Sequence, residues 1–368
     1  VEWENLQKNL LDALLNELDL RLDELSPDAI ETVFIGGGTP SSIKPDLLDH
    51  FFIGLEKRLR GMISLNTEFS IEANPESCTQ GFLSVLKSHK VNRLSLGVQS
   101  FDTKTLQTIG RASFPDDVFG TVENIRSSWK RRLSLDLITG VNYNYMDDIT
   151  RALSLSPEHL SVYALTFEEN TPLYDDLINN RITPPDDELQ AEAITAAWDY
   201  LEQNGFKRYE ISNYARTEPD SVNECAHNIA YWNMQSYVGI GPGAVSSFYS
   251  ENKKTRITNT ENIENYIQCF QENKTSVETC RSIEVLNHFD FILEHYLMGG
   301  RLKKGIDKNV FTSRFGHPPE YYIPETISAW RAAGLTGIGS CALNDDGMLL
   351  LNRFISEIYD ELKKNNLF

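Results

Sequence analysis

The chain has 368 residues, 40% of them hydrophobic, which fills the core of one large domain with a smaller companion. Its 34 basic and 53 acidic residues leave a formal charge of -19, which argues against nucleic acid as a partner and against direct docking on anionic lipid. No apolar run approaches the length of a membrane span, and residues 1–25 are acidic and amphipathic where a secretory leader would be basic and then apolar, so the expected location is cytoplasmic.

Leu6, Leu10, Leu11, Leu14, Leu15, Leu18, Leu22 and Leu25 recur at three- and four-residue steps, which predicts an amphipathic helix over 3–25 with its acidic residues on the outer face. Next comes a short apolar strand, Val33, Phe34 and Ile35, opening into Gly36, Gly37, Gly38, Thr39 and Pro40. Three glycines exceed what a strand-to-helix turn requires, and they leave bare backbone at the strand end for a ligand to approach. Neither GxGxxG nor GxxxxGK[ST] is present here, so dinucleotide and phosphate-loop readings fail.

Helix and strand then alternate, with strands expected at 68–73, 92–98, 132–138 and 159–167 and helices around 45–61, 79–89, 102–110, 115–129 and 147–155. That order means βαβ units and a parallel sheet or barrel. The five strand ends read GGGTP, EANP, GVQS, DLITG and TFEEN. Taken singly, Glu72, Gln99, Asp136 and Glu168 read as surface groups; at the same end of successive strands they read as one site.

An acidic helical stretch over 176–207 leads to strands expected at 208–215 and 237–248, with HNIAYW between them. Beyond about residue 255 the pattern turns helical, ending in a helix, a short hairpin around Asp345, Asp346 and Gly347, and a last helix, a winged-helix-like arrangement. The expected division is therefore 1–255 and 256–368. Cys78, Cys225, Cys269, Cys280 and Cys341 stand singly, without the short spacing that chelates a metal or cluster, and read mostly as free thiols.

The segments VFIGGGTP, IEANPES, VNRLSLGVQSFD, SLDLI, LSVYALTFEENTPLY, YEISNYA, HNIAYW and YVGIGPGA together resemble the radical S-adenosylmethionine proteins of the oxygen-independent coproporphyrinogen III oxidase group. Within that group the likeness is greatest to the HemW-type haem chaperones, because HNxxYW (His227, Asn228, Tyr231, Trp232) separates the chaperone branch from the oxidases. The resemblance implies an α/β fold, a partial parallel barrel of about six β/α units. It implies S-adenosylmethionine across the strand ends, held by Gly36, Gly37, Gly38, Thr39, Glu72, Gln99, Arg111 and Asp136, with Val245 at the position following GPGA. It also implies haem as the bound cargo, a haem-accepting protein as partner, and an electron donor where a cluster is present. Any membrane contact would come through the recipient.

The family carries a [4Fe–4S] cluster on a CxxxCxxC loop just before its first helix, and no such loop occurs in this sequence, which starts at that helix. The expectation is that the first strand and the cluster loop are missing by truncation, with genuine loss of the cluster and a non-catalytic scaffold as the alternative. Further departures are Arg111-Ala112-Ser113 for RxH, GVNYNYM from Gly140 for GLPxQT, and Val245 for the usual histidine. From the residues alone HNIAYW reads first as a packing corner; the resemblance makes His227 a haem ligand, with Tyr231 and Trp232 against the ring. Oxygen-independent oxidation of coproporphyrinogen III is the enzymatic alternative, disfavoured because a tetracarboxylate wants several cations and the strand ends offer mainly Arg111.

Overall fold

The computed structural model describes residues 2–111, 115–141, 145–184, 186–219, 222–250, 253–271, 277–339 and 341–365. The chain forms two compact units, one of residues 32–46 and 67–225, the other of residues 1–31, 47–66 and 226–368.

The first unit is built on a seven-stranded sheet. Strands β1 (Thr32–Ile35), β2 (Glu68–Ala73), β3 (Arg93–Gln99), β4 (Arg132–Thr139) and β5 (His159–Ala164) pair in chain order, each parallel to the next. The strand expected at 208–215 is a tight hairpin, β6 (Phe206–Arg208) and β7 (Asn213–Arg216), with β7 antiparallel to β5. Helices Gln80–Ser88, Thr103–Thr108, Pro115–Ser128 and Tyr145–Ser154 supply the crossovers that parallel pairing needs. Thr79 and Asp102 start two of them by accepting the amides of Phe82 and Thr105.

Parallel strands sandwiched between helices usually read as continuous apolar runs. Here they alternate. Phe69, Ile71, Leu94, Leu96, Leu133, Leu135, Leu137 and Leu160 are buried, each stabilising by about 1.5–3 kcal/mol. The intervening residues are polar, and the register stacks them into rows: Ser70, Arg93 and Arg132; then Glu72, Ser95, Ser134 and His159; then Gly97, Asp136 and Ser161. The last two rows lie toward the strands' C-terminal ends, where the site forms.

In the second unit, helix Glu2–Leu25 buries Leu11, Leu15 and Leu18, and Ala13 packs with Tyr266, Ile267 and Phe270. The expectation that its acidic residues face outward fails at Glu17, which is fully buried. Its carboxylate accepts the Gly241 amide (2.9 Å), Asn259 Nδ2 (2.9 Å) and Tyr266 Oη (2.6 Å), with Arg21 and Arg281 at 3.6 and 3.4 Å.

Strands β8 (Val245–Ser250), β9 (Lys253–Asn259) and β10 (Arg281–Leu286) form an antiparallel sheet with β9 central. The strand expected from 237 begins only at Val245, because Gly241 and Gly243 sit at φ +122° and +67° and turn the chain. The region after β10 is helical, with Phe291, Phe311, Trp330 and Phe354 in its core. Asp345 and Asp346 do not make the expected hairpin: Asn344 caps a helix over Asp345–Leu349, and the β-bridge is Thr336 with Leu343. Two cysteines read as free thiols, Cys269 and Cys280, are joined in a disulfide (Cα–Cα 6.5 Å). Cys78, Cys225 and Cys341 are buried and take no part in a disulfide. Among the described residues no helix is long and apolar enough to cross a membrane.

Candidate functional site

The glycine run leaves β1 beside Glu72 on β2. A Cβ on Gly36 would stand 2.7 Å from the Glu72 carboxyl carbon, so only glycine fits while that side chain holds its place. Gly37, at φ +90°, donates its amide to Glu72 Oε2 at 3.3 Å, while Gly37 and Gly38 have open space where a side chain would project. Asn74 continues the rim by donating Nδ2 to Thr39 Oγ1 at 3.3 Å.

Gly38, Thr39, Glu72, Gln99, Arg111 and Asp136 line one cleft at the strand ends. Gln99 reaches it from a left-handed backbone, φ +67°, where the β3–β4 register shifts between Gly97 and Gln99; such a conformation costs about 1–3 kcal/mol in a non-glycine residue. Asp136 accepts Ser95 Oγ at 2.7 Å, Ser134 Oγ at 3.4 Å, and the Ser161 hydroxyl. Desolvation raises the Asp136 pKa above the usual carboxylate value, opposed by these hydroxyls and by the Arg111 charge. Glu72 is raised too, by desolvation first, with the Gly37 amide opposing and Asp136 adding like-charge repulsion. Two desolvated carboxylates, one guanidinium and a stretch of bare backbone suit a ligand carrying excess positive charge together with one carboxylate.

Four lining residues escaped sequence reasoning: Ala73, Asn74, Ser95 and Gly97. Asn74 stands in the quoted IEANP, and the repeated Leu-Ser-Leu of β3 and β4 marks a serine facing the same way on neighbouring strands. Gly97 is glycine because a Cβ there would stand 3.0 Å from both Asn74 Oδ1 and Gln99 Nε2.

Val245 lies in the other unit, opening β8 with its backbone against Gly239. HNIAYW, which from the residues alone reads as a packing corner, belongs to a helix, Ala226–Trp232. Helical spacing places His227 and Tyr231 on one face, rings edge to face at 5.0 Å, and Tyr231 packs on Tyr237 at 4.2 Å. Burial pushes the Tyr231 hydroxyl up to about 12. Trp232 turns to an adjacent face, under the Arg301 guanidinium at 4.9 Å. The departures at Ala112, Ser113 and residues 142–144 lie outside the described residues.

Among the described residues no three of His, Cys, Asp or Glu gather to hold a metal ion. Burial pushes the Cys78 thiol up to about 12, and Cys341 higher, away from the thiolate form that binds iron.

A profile of the radical SAM superfamily matches residues 11–155, a stretch containing every cleft residue named above. The chain is 30% identical to the heme chaperone HemW of Bacillus subtilis over 358 residues, 96% of this chain and 91% of the relative. It is 28% identical to the heme chaperone HemW of Escherichia coli over 361 residues, 93% and 87% of the two chains. The structure of coproporphyrinogen III oxidase (HemN) from Escherichia coli, a radical SAM enzyme, superposes with a TM-score of 0.74 at 18% identity, covering 97% of this chain and 84% of that one, a likeness of fold.

Proposed function

The chain belongs to the HemW-type group of the radical S-adenosylmethionine superfamily, and from that premise we propose that it binds S-adenosylmethionine in the cleft and carries haem for delivery to a haem-accepting protein. The observation that carries the reading is the convergence of Gly38, Thr39, Glu72, Gln99, Arg111 and Asp136 on one cleft. Its donor set fits the ligand: Arg111 for the carboxylate, the oxygens of Gly36–Thr39 for the ammonium, Glu72 and Asp136 for ribose hydroxyls and the sulfonium charge. The open backbone at Gly37 and Gly38 leaves room for close approach.

The residues of this chain do not fit a [4Fe–4S] cluster, which needs several thiolates on one loop. Cys78, Cys225 and Cys341 are buried, widely spaced and outside the disulfide, so none of them is assigned to a cluster and no step is routed through one. For haem, supported by the names of the relatives, the proposed ligand is His227, with Tyr231 providing apolar surface beside the imidazole.

Calorimetry with S-adenosylmethionine tests the cleft: the chain binds, and Asp136→Ala and Arg111→Ala each weaken binding at least tenfold with unchanged circular dichroism. Absorbance titration with haemin tests the cargo: His227→Ala weakens binding and shifts the Soret band. A chain that binds neither molecule overturns the proposal.

A further inference from the structure

Asp136 is served from behind by a chain of hydrogen bonds running into the interior of the first unit. Ser134 precedes it by two residues on the same face of β4, and the β4–β5 register sets Ser134 beside His159. Ser134 Oγ lies 2.7 Å from His159 Nδ1, and His159 Nε2 lies 2.8 Å from Tyr209 Oη. The Cys225 amide completes the chain, donating to Tyr209 Oη at 3.1 Å. Arg93 anchors this far end by donating to the carbonyls of Asn223 and Glu224 at 3.0 and 2.9 Å while paired with Glu68 at 3.0 Å.

The polarity of the chain follows from what each group can do. A backbone N–H only donates, so Tyr209 Oη accepts from Cys225, and the arrangement that pairs every group in the chain has the Tyr209 proton on His159 Nε2. That assigns the imidazole hydrogen to Nδ1, which donates to Ser134 Oγ. Ser134 is then left to donate to Asp136 Oδ1, so all four protons point toward the cleft.

We infer that His159 is a positioning residue for the cleft: a neutral imidazole, locked in its Nδ1–H tautomer by Tyr209, that orients Ser134 toward Asp136 and so supports the carboxylate that receives a cationic ligand. The inference rests on the proposed reading of the cleft. Burial, with Arg93 and Arg132 adding like charge, keeps the imidazole pKa well below its ordinary value, consistent with a neutral ring. The groups facing Asp136 are Glu72 from β2, Ser95 from β3, Ser134 on its own strand, Ser161 and Tyr163 from β5, and Arg111. Those facing His159 are Arg93, Arg132, Ser134 and Tyr209.

A buried histidine with both nitrogens bonded also serves stability, so the test reads the pH at which ligand binding fails. S-adenosylmethionine affinity is measured by calorimetry between about pH 5 and 8.5 on the full chain and on His159→Phe, His159→Asn and Tyr209→Phe. Binding by the unaltered chain is lost on acidification, as the coupled Glu72 and Asp136 pair takes up a proton. In His159→Phe the loss moves to higher pH by about half to one unit, and affinity at pH 7 falls about three- to tenfold, because one donor to Asp136 is no longer oriented. His159→Asn, whose amide can replace Nδ1–H, restores most of the profile. Tyr209→Phe frees the tautomer and shifts the profile the same way; it carries the test if His159→Phe does not fold. Variants that are merely less stable, with the acid limb where the unaltered chain has it, overturn the inference alone. Failure of the unaltered chain to bind at every pH overturns the cleft reading and the inference together.

Discussion

Glu72 and Gly36 are fitted to one another: the carboxyl stands 2.7 Å from where a Gly36 side chain would begin, and it accepts the next amide, that of Gly37, at 3.3 Å. The glycine run is thus a device for holding one carboxylate against bare backbone. Gly36→Val should drive Glu72 out of place and lower S-adenosylmethionine affinity at least tenfold, about 1.4 kcal/mol, by calorimetry. Gly38→Ala, with nothing within 4 Å of its new methyl group, should leave the urea midpoint unchanged. Gly37 is constrained differently, by a φ of +90°, so any residue there adds backbone strain of about 1–2 kcal/mol even though the space is open. Equal affinity in Gly36→Val would remove Glu72 from the site.

Glu17 should prove to be a stability residue. Glu17→Leu removes the acceptor for Gly241, Asn259 and Tyr266 and leaves Arg21 and Arg281 without their buried counter-charge. The expected loss is about 3–5 kcal/mol in urea unfolding, the range for breaking a buried pair from one side. A change under about 1 kcal/mol would mean that water replaces the carboxylate.

His295 predicts a pH dependence of folding. Burial, and then the Arg314 charge beside it, pushes its imidazole down to about 3, while the unfolded chain titrates near 6.5. Between those values the unfolded state holds a proton the folded state lacks. The neutral imidazole's contribution is therefore complete above pH 6.5 and is lost as pH falls, by about 2 kcal/mol between pH 7.5 and 5. His295→Gln keeps an acceptor at the Nε2 position for Arg314 Nη1, now bonded at 2.8 Å, without the titration, and should flatten that part of the profile. Parallel profiles for the two proteins would show that the imidazole is protonated in the fold.

Anaerobic incubation with iron and sulfide should leave this chain without a stoichiometric four-iron cluster, as judged by metal and sulfide analysis. A stable cluster would mean that Cys78, Cys225 or Cys341 leaves its buried position to bind iron.

The five parallel strands were legible because each is a compact apolar-rich run closed by polar or glycine residues, and such runs need no distant partner to be recognised. The cleft was legible as strand ends. Ser95 and Asn74 were not, because small polar residues declare no chemistry until register sets them beside Asp136 and Thr39. The helix holding His227 is seven residues long, too short for periodicity to separate it from a loop. Glu17 looked like any acidic residue on an amphipathic helix because its partners Gly241 and Tyr266 lie 224 and 249 positions away, beyond any local window.

That separation also sets an order of assembly on the ribosome. Helix Glu2–Leu25 emerges well before the residues that bury it, Asn259, Tyr266 and Phe270 among them, which are synthesised more than 200 residues later. At about 5–20 residues per second the interval is roughly 10–50 seconds. During that time the nascent chain displays a leucine stripe and an unsatisfied Glu17, while the intervening sheet of 67–225 already has most of its own partners in hand. Yield in a cell should accordingly depend on whatever shields helix Glu2–Leu25 until the segment carrying Asn259 and Tyr266 has appeared.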